Sequence, residues 1–336
     1  MAKRKESVTP NKRVAKKIKT QESPVIEPVV EKQEIKTGEE GIDIVVPMVF
    51  PYGDGWLQKY REACYKYGRK YSIDERVRSW DLERYFFRGI AKFMPFIRKI
   101  HLILADEGQI PFWINREKVH VVLHKDIMPE ELLPTFNSST IEMWLHNIEG
   151  LSETFIYCND DMIVMSPMTA EDFFVDGKPV ARCKEQKQPI VGEFLYTIKH
   201  ALNIAAKDNN VEFADDIVLR DGHSYAPMLL SVLNETVAKH GDEMRESCTT
   251  FRENKNINQY IYTYEMCLSG KNHDGRHPHK YFSISSDYDK MTADLLRGDV
   301  GVACFNDAGI GDWKEMNNAL YKVMQKVLGV KCEYEI

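Results

Sequence analysis

Short apolar runs alternate with stretches of helical periodicity from residue 42 to about residue 161. Ile42-Asp43-Ile44-Val45-Val46-Pro47-Met48-Val49 reads as a first strand, and Pro47, which cannot donate to a ladder, places it near an edge or at its own end. Helical spacing follows over Trp56–Lys70 and Leu82–Phe93, the second with Phe86, Phe87, Ile90 and Phe93 on one face. Further strands are expected at Ile100–Ala105 and Val119–Leu123. A helix over Ser138–Ile148 would bury Ile141, Trp144, Leu145 and Ile148 and begin near Ser138-Ser139-Thr140. Phe155-Ile156-Tyr157-Cys158 then reads as a buried strand that stops on Asn159, Asp160 and Asp161. This alternation predicts an α/β fold with a Rossmann-like, mostly parallel sheet flanked by helices. The second half reads as more helical, over Ile190–Lys207, Ala226–Lys239, Asn256–Leu268 and Trp313–Val327. Between the last two, Val300–Phe305 reads as a strand ending on Asn306-Asp307. There is no internal repeat.

Polar ligands bind at the carboxyl ends of strands in open α/β sheets, which draws attention to the two runs that end on Asn-Asp. Adjacent carboxylates form a hard oxygen site suited to Mg²⁺ or Mn²⁺, able to neutralise a pyrophosphate. Asn159-Asp160-Asp161 is equally the composition of an Asx turn, and the run by itself fits both readings. His273, His277 and His279 are close enough in sequence to hold a transition metal, but their Gly and Pro neighbours predict an exposed loop instead. Gly309-Ile310-Gly311 is too short for a dinucleotide fingerprint and reads as a turn.

With 336 residues and 43% hydrophobic content the chain can bury a core for one large or two fused domains. No apolar run is long enough to span a bilayer, and no apolar region follows the N-terminal charges, so the expectation is a soluble, cytoplasmic protein. Seven cysteines without a CxxC pair read as reduced thiols. Residues 1–20 hold eight Lys or Arg and one acid, and residues 21–40 turn acidic and Pro-containing. Such a segment cannot offset its own ordering entropy, so 1–40 is expected to be a disordered basic arm and linker, with the folded domain at 41–336. Setting aside the arm's excess of seven positive charges, the formal charge of −6 leaves −13 on the remainder, a poor nucleic-acid surface, and no nucleic-acid partner is expected. The arm itself fits a solvated tail, a tether to anionic lipid at the inner face of the cell membrane, or an electrostatic contact with nucleic acid or a localisation signal.

The run Leu133-Pro134-Thr135-Phe136-Asn137-Ser138, then Ile141-Glu142, His146–Glu153, Phe155-Ile156-Tyr157 and Asn159-Asp160-Asp161 closely resembles the second conserved region of the Stealth family. Arg88-Gly89-Ile90, Pro95–Ile100, His124-Lys125-Asp126 and Asp172-Phe173-Phe174 extend that region, taken as 78–182. His223-Ser224-Tyr225-Ala226-Pro227 with Phe251-Arg252 and Asn258-Gln259 is similar to the third region (220–270). Phe305-Asn306-Asp307 with Lys331–Glu335 is similar to the fourth (300–336). The first region (41–60) departs: in place of the family's Trp-Val-Asp-Gly type sequence stands Met48-Val49-Phe50-Pro51-Tyr52-Gly53-Asp54-Gly55-Trp56, leaving Asp54 or Tyr52 as the counterpart. Members include bacterial capsular-polysaccharide phosphotransferases and the catalytic part of the animal enzyme that tags lysosomal proteins with N-acetylglucosamine phosphate.

What the resemblance implies is a glycosyltransferase-A-like sheet and transfer of a sugar 1-phosphate from a nucleotide diphosphate sugar, a UDP-sugar foremost, to a glycan hydroxyl in capsular or exopolysaccharide synthesis. His223 would take the hydroxyl proton, since imidazole titrates near neutrality. Asp161, Asp307 and Asp160 would hold the divalent metal, Mg²⁺ before Mn²⁺. Arg252 and Arg88 would grip phosphate oxygens, and Glu142 would bind sugar or orient His223. Arg78, Asn137, His124, Asn159, Asn306 and Asp54 complete the implied substrate-binding set. Two other readings stay open: a conventional nucleotide-sugar glycosyltransferase, and a catalytically silent glycan-binding relative.

Deleting residues 1–38 is expected to leave activity intact and to weaken binding to anionic vesicles, each cationic side chain contributing about 1 kcal/mol near the surface at low salt. Vesicle co-sedimentation of full-length and truncated chains across a salt series measures this. Equal binding at low salt would leave the solvated-tail reading.

Overall fold

A computed structural model of the chain describes residues 39–50, 54–71, 79–220, 222–284, 288–307 and 313–336. The expectations for the basic arm, Tyr52, Arg78 and the Gly309–Gly311 turn lie outside these residues. The first half runs β1 (Glu39–Pro47), α1 (Asp54–Lys66), α2 (Glu83–Phe93), β2 (Ile97–Leu104), β3 (Val119–Leu123), α3 (His124–Ile127), α4 (Ser138–Glu142), β4 (Ser152–Tyr157) and β5 (Met162–Val164). Then come β6 (Phe174–Val175), β7 (Lys178–Pro179), β8 (Lys184–Lys187), α5 (Glu193–Asp208), β9 (Ile217–Arg220), β10 (Ala226–Leu229), α6 (Leu230–Ser247) and α7 (Tyr260–Leu268). The chain closes with β11 (His279–Ile284), α8 (Tyr288–Arg297), β12 (Val302–Asp307) and α9 (Trp313–Leu328).

The main sheet has the order β10-β4-β1-β2-β3. β1 pairs in parallel with β2 and β4, β2 in parallel with β3, and β10 alone runs antiparallel, against β4. This is the mostly parallel α/β architecture that the alternating runs predict. β1 is central, and Pro47 is tolerated because it is the last residue of its strand. Both faces of the sheet are covered, which is why its strands read as unbroken apolar runs. Ile44, Val46, Ile100 and Leu102 pack with Phe86, Phe87 and Ile90 of α2 and Leu320 and Val323 of α9. On the opposite face Val45, Ile103 and Phe155 pack with Leu202 of α5, Leu233 of α6 and Tyr262 of α7. A second sheet, β11-β12-β5, joins β12 antiparallel to β5 and parallel to β11. α2 lies directly on β5 at Gly89, where a Cβ would fall 2.6 Å from the Val164 carbonyl oxygen.

Four expectations are corrected. Ala226–Lys239 is not one helix, because Ala226–Leu229 pairs with Tyr157–Thr154 of β4 before α6 begins. The Ser138–Ile148 stripe is divided between α4 and a 3₁₀ turn at Leu145–Asn147. Cys183 and Cys267 are joined as a disulfide, with Cα atoms 6.3 Å apart, so the cysteines are not all thiols. His277 is buried and bonded to the Ser224 hydroxyl at 2.7 Å, which removes it from any exposed three-histidine metal site.

At the amino ends of the central strands lies a buried carboxylate within the run that reads as a plain apolar strand. Asp43 is fully buried, and its oxygens accept from Arg98 Nε (2.9 Å) and Nη2 (2.5 Å) and from the Ser152 N–H (2.9 Å). Its Oδ2 also meets His101 Nε2 at 2.9 Å. Burial alone would raise its carboxyl, but the bonds to His101, Arg98 and Ser152 outweigh burial and hold it down from 3.8 to about 2. As pH falls the unfolded chain takes up this proton before the folded one. The stabilisation, about 2 kcal/mol, is therefore complete above about pH 4 and lost towards about pH 2. Asp43→Asn should destabilise the fold by about 3 kcal/mol at pH 7 by leaving Arg98 uncompensated. Denaturant titrations of both proteins at several pH values should show that gap narrowing below about pH 4, and a gap independent of pH would remove Asp43 as the titrating group.

Candidate active site

At the carboxyl end of β4 opens a cavity of about 720 Å³ whose wall includes Glu142, Asn159, His223, Arg252 and Asn306. Its floor forms where the Asn159–Asp161 turn leads into β5, closed by the Met162 N–H on the Asn159 carbonyl at 3.3 Å. The Phe305 N–H donates to the Asp161 carbonyl at 2.8 Å, which draws the carboxyl end of β12 beside that turn. Residues 161 and 306, far apart in sequence, therefore belong to one rim.

Asp161 is the centre of the arrangement. Its Oδ2 accepts from the Cys304 thiol at 3.4 Å and lies 3.6 Å from His223 Nε2, while its Oδ1 is buried with no partner among the described residues. Ligand atoms of Asp161, His223 and Cys304 lie within 4.8 Å of one another, close enough to hold a metal ion. Burial and the Asp161 charge push the Cys304 thiol far above its ordinary range, so it stays protonated and serves as a donor. What remains is one orphaned carboxylate oxygen and one imidazole, which fits a hard divalent cation that takes further oxygens from a substrate.

A second set also lines the cavity. Glu142 is buried and accepts from the Tyr157 hydroxyl at 3.0 Å and the Gln259 N–H at 2.8 Å. Burial raises its carboxyl against the opposing pull of those bonds and of Arg252. Arg252 donates through Nη2 to the Ser138 hydroxyl at 2.8 Å, and its Nε is buried without a partner. An unsatisfied guanidinium N–H at a cavity wall suits an anionic oxygen.

Other implied residues lie elsewhere. Arg88 is bound to Glu335 through Nε (2.7 Å) and Nη2 (2.9 Å) and to the Leu328 carbonyl at 3.2 Å; it is a clamp between α2 and the last residues of the chain, not a phosphate ligand. Asn137 is buried as the N-cap of α4, accepting from the Ser139 N–H at 3.1 Å and donating to Asn256 at 3.0 Å. Asp307 alternates away from Asn306 and accepts from the Trp80 indole at 3.1 Å, so Asn306 lines the cavity in its place. Asp160 turns towards the Val49 N–H at the end of β1. Crowding by the surrounding chain, then the charges of Asp161 and Glu83, raise its carboxyl although the side chain reaches solvent. His124 lines a separate groove, and the Asp54 side chain is outside the described residues.

Arg220, Gln186 and Tyr281 also line the cavity, and sequence reasoning passed over all three. Arg220 stacks on the Phe194 ring at 5.7 Å, and Tyr281 stands edge-on to His223 at 6.4 Å. A signal existed for Arg220, which ends the apolar run Ile217-Val218-Leu219 just as Asn159 ends β4. Tyr281 sits on a half-open strand and Gln186 on a fully exposed one, neither with an apolar signature.

Residues 76–181 match the model of Stealth protein CR2, conserved region 2. Over that stretch, about a third of its length, the chain is similar to the Stealth family. The exopolysaccharide phosphotransferase cps2G of Lactiplantibacillus plantarum is 44% identical over 43% of this chain and 42% of its own length, so the match spans less than half of that relative. The receptor polysaccharide phosphotransferase WefC of Streptococcus oralis is 28% identical over 88% of this chain and 99% of its own. Mouse xyloside xylosyltransferase 1 in its apo form aligns with a TM-score of 0.38 and 11% identity, over 81% of this chain and 99% of that one, too loosely to bear on chemistry.

Because Arg88 is a clamp, Arg88→Met should lower stability by about 3 kcal/mol through the unpaired Glu335 while leaving turnover per folded molecule unchanged. Thermal unfolding with active-site-normalised rates checks this, and a selective rise in donor KM would restore Arg88 to the substrate site.

Proposed function

We propose that the chain transfers a sugar 1-phosphate from a nucleotide diphosphate sugar, a UDP-N-acetylhexosamine foremost, to a hydroxyl of a growing capsular or exopolysaccharide. The observation that carries this reading is the pairing of His223 with Asp161 at a cavity that Arg252 also lines. Phosphoryl transfer needs positioning, charge neutralisation and a proton acceptor more than covalent chemistry, and these residue types answer those needs.

The acceptor oxygen forms a bond to the phosphorus nearest the sugar as the bond from that phosphorus to the bridging oxygen breaks, and a nucleoside monophosphate leaves with that oxygen. The hydroxyl proton passes to His223, which Asp161 steadies at 3.6 Å. Arg252, through its unpartnered Nε, and Arg220 at the rim bind the phosphate oxygens. Asn306 and Asn159 supply neutral hydrogen bonds beside them. Glu142, held by Tyr157 and Gln259, keeps Arg252 in place from behind. A divalent cation on the free oxygen of Asp161, Mg²⁺ by its preference for hard ligands, would supply charge neutralisation at the pyrophosphate. The reaction belongs at the cytoplasmic face of the membrane, where nucleotide sugars are available to a growing chain.

The test is to identify the nucleotide released from UDP-sugars in the presence of acceptor glycan and Mg²⁺. UMP is the expected product, whereas UDP would mean cleavage at the anomeric carbon and a conventional glycosyltransferase. His223→Ala should lower kcat by about 10²–10⁴ with donor binding retained. An unchanged kcat with lost binding would assign His223 to substrate holding instead.

A further inference from the structure

A second concavity, about 920 Å³, runs between α1 and the segment from His124 to Phe136. It shares a wall with the active site. The Phe136 N–H donates to the Thr250 carbonyl at 2.8 Å, and Arg252 donates to Ser138 at 2.8 Å, so two short segments run side by side as a ridge. Thr135, Phe136 and Thr250 of this ridge line the groove, whereas Ser138 and Arg252 line the catalytic cavity. A molecule lying across the ridge would contact both.

The groove is chemically specific. Trp56, Tyr67 and Phe136 contribute aromatic surface, with Tyr67 50% exposed at the rim. Three lysines and four carboxylates line it, and the charges are largely matched: Lys59 pairs with Asp106 at 2.7 Å, Lys125 with Glu107 at 3.5 Å, and Glu131 with Arg245. Such a lining has no net cationic field to attract a phosphate. His124, which lines the groove, is 6% exposed. Burial holds its imidazole down at about 4, so at neutral pH one ring nitrogen donates and the other accepts.

We infer that this groove is a saccharide-binding site, taking uncharged sugar units of the acceptor glycan whose reactive end lies across the ridge in the catalytic cavity. The assignment of those units to an acceptor rests on the proposed transfer reaction; the binding itself does not. Aromatic faces pack against the C–H faces of pyranose rings, and a neutral imidazole exchanges hydrogen bonds with their hydroxyls. A donor nucleotide, with its two phosphates, would find no cationic excess here.

Saturation-transfer NMR and calorimetry with the full-length chain test this, using neutral trisaccharides built from glucose, galactose or N-acetylglucosamine as probes. At least one trisaccharide should bind, with His124→Phe weakening it tenfold or more. Tyr67→Ala, at a half-exposed rim position that does not endanger the fold, should weaken it several-fold. His223→Ala should leave it unchanged. No binding by any of the three, binding indifferent to both groove variants, or displacement of the saccharide by UMP would each overturn the inference. Saccharide binding that obeys these expectations in a chain with no transferase activity would uphold the groove and defeat the proposed reaction, so the two can fail separately.

Discussion

The carboxylate of Asp43 ties together the strands on which everything else is placed. From β1 it bonds to Arg98 and His101 of β2 and to the N–H that opens β4, so one buried charge fixes the relative height of three parallel strands at their amino ends. Arg98 also reaches the Gly150 carbonyl at 2.8 Å just before β4, which sets where that strand begins. Fixing the start of β4 fixes its end, and the end of β4 is where Asn159 and Asp161 emerge. A slip of one residue would exchange the two faces of a strand buried on both sides, so a polar anchor adds a register constraint that apolar packing supplies less sharply.

The candidate site, at the other end of β4, keeps several polar groups incompletely satisfied. Asp161 Oδ1 and Arg252 Nε are buried without partners among the described residues, Arg252 in the cavity wall and Asp161 beside its His223. A fold optimised only for stability would bond or remove both. Held apart, they present an acceptor and a donor to whatever enters, suited respectively to a cation and to an anionic oxygen. The supporting shell is by contrast well bonded: Glu142 receives two hydrogen bonds, and the ridge behind Arg252 is secured by Thr135, Asn137 and Asn256. Rigid surroundings around a few unsatisfied groups are what preorganisation requires.

Much of this was legible in the sequence. The parallel strands were, because strands covered on both faces are written as continuous apolar runs, and so were α1, α2, α5, α7 and α9, whose buried faces recur at helical spacing. The antiparallel β10 was not, because Pro227 and its neighbours run directly into α6 and the junction carries no turn signal. β8 was invisible because all four of its residues are exposed, and with it went Gln186. Asp161, His223, Arg252, Glu142, Asn159 and Asn306 were named in advance; all but Asp161 line one cavity, and Asp161 stands beside its His223. Arg88 and Asn137 carry the same family signature yet stand in the framework, since a motif records that a residue matters and not whether it touches ligand or chain. The side on which Asp307 falls depends on strand alternation at the very end of β12, which no spacing rule fixes.

The antiparallel join between β5 and β12 has a consequence for how the protein comes into being. Val164 and Val302 are neighbours in that ladder although more than a hundred residues separate them along the chain, and the floor under Asp161 is finished only when the later strand arrives. A nascent chain can form its first four parallel strands early, but it has no complete cavity until the distant segment is threaded alongside, a closure that is intrinsically slow. Binding competence thus appears late and all at once, and fragments released by interrupted synthesis or proteolysis would leave the Asp161 turn open to water, unable to sequester a costly activated donor.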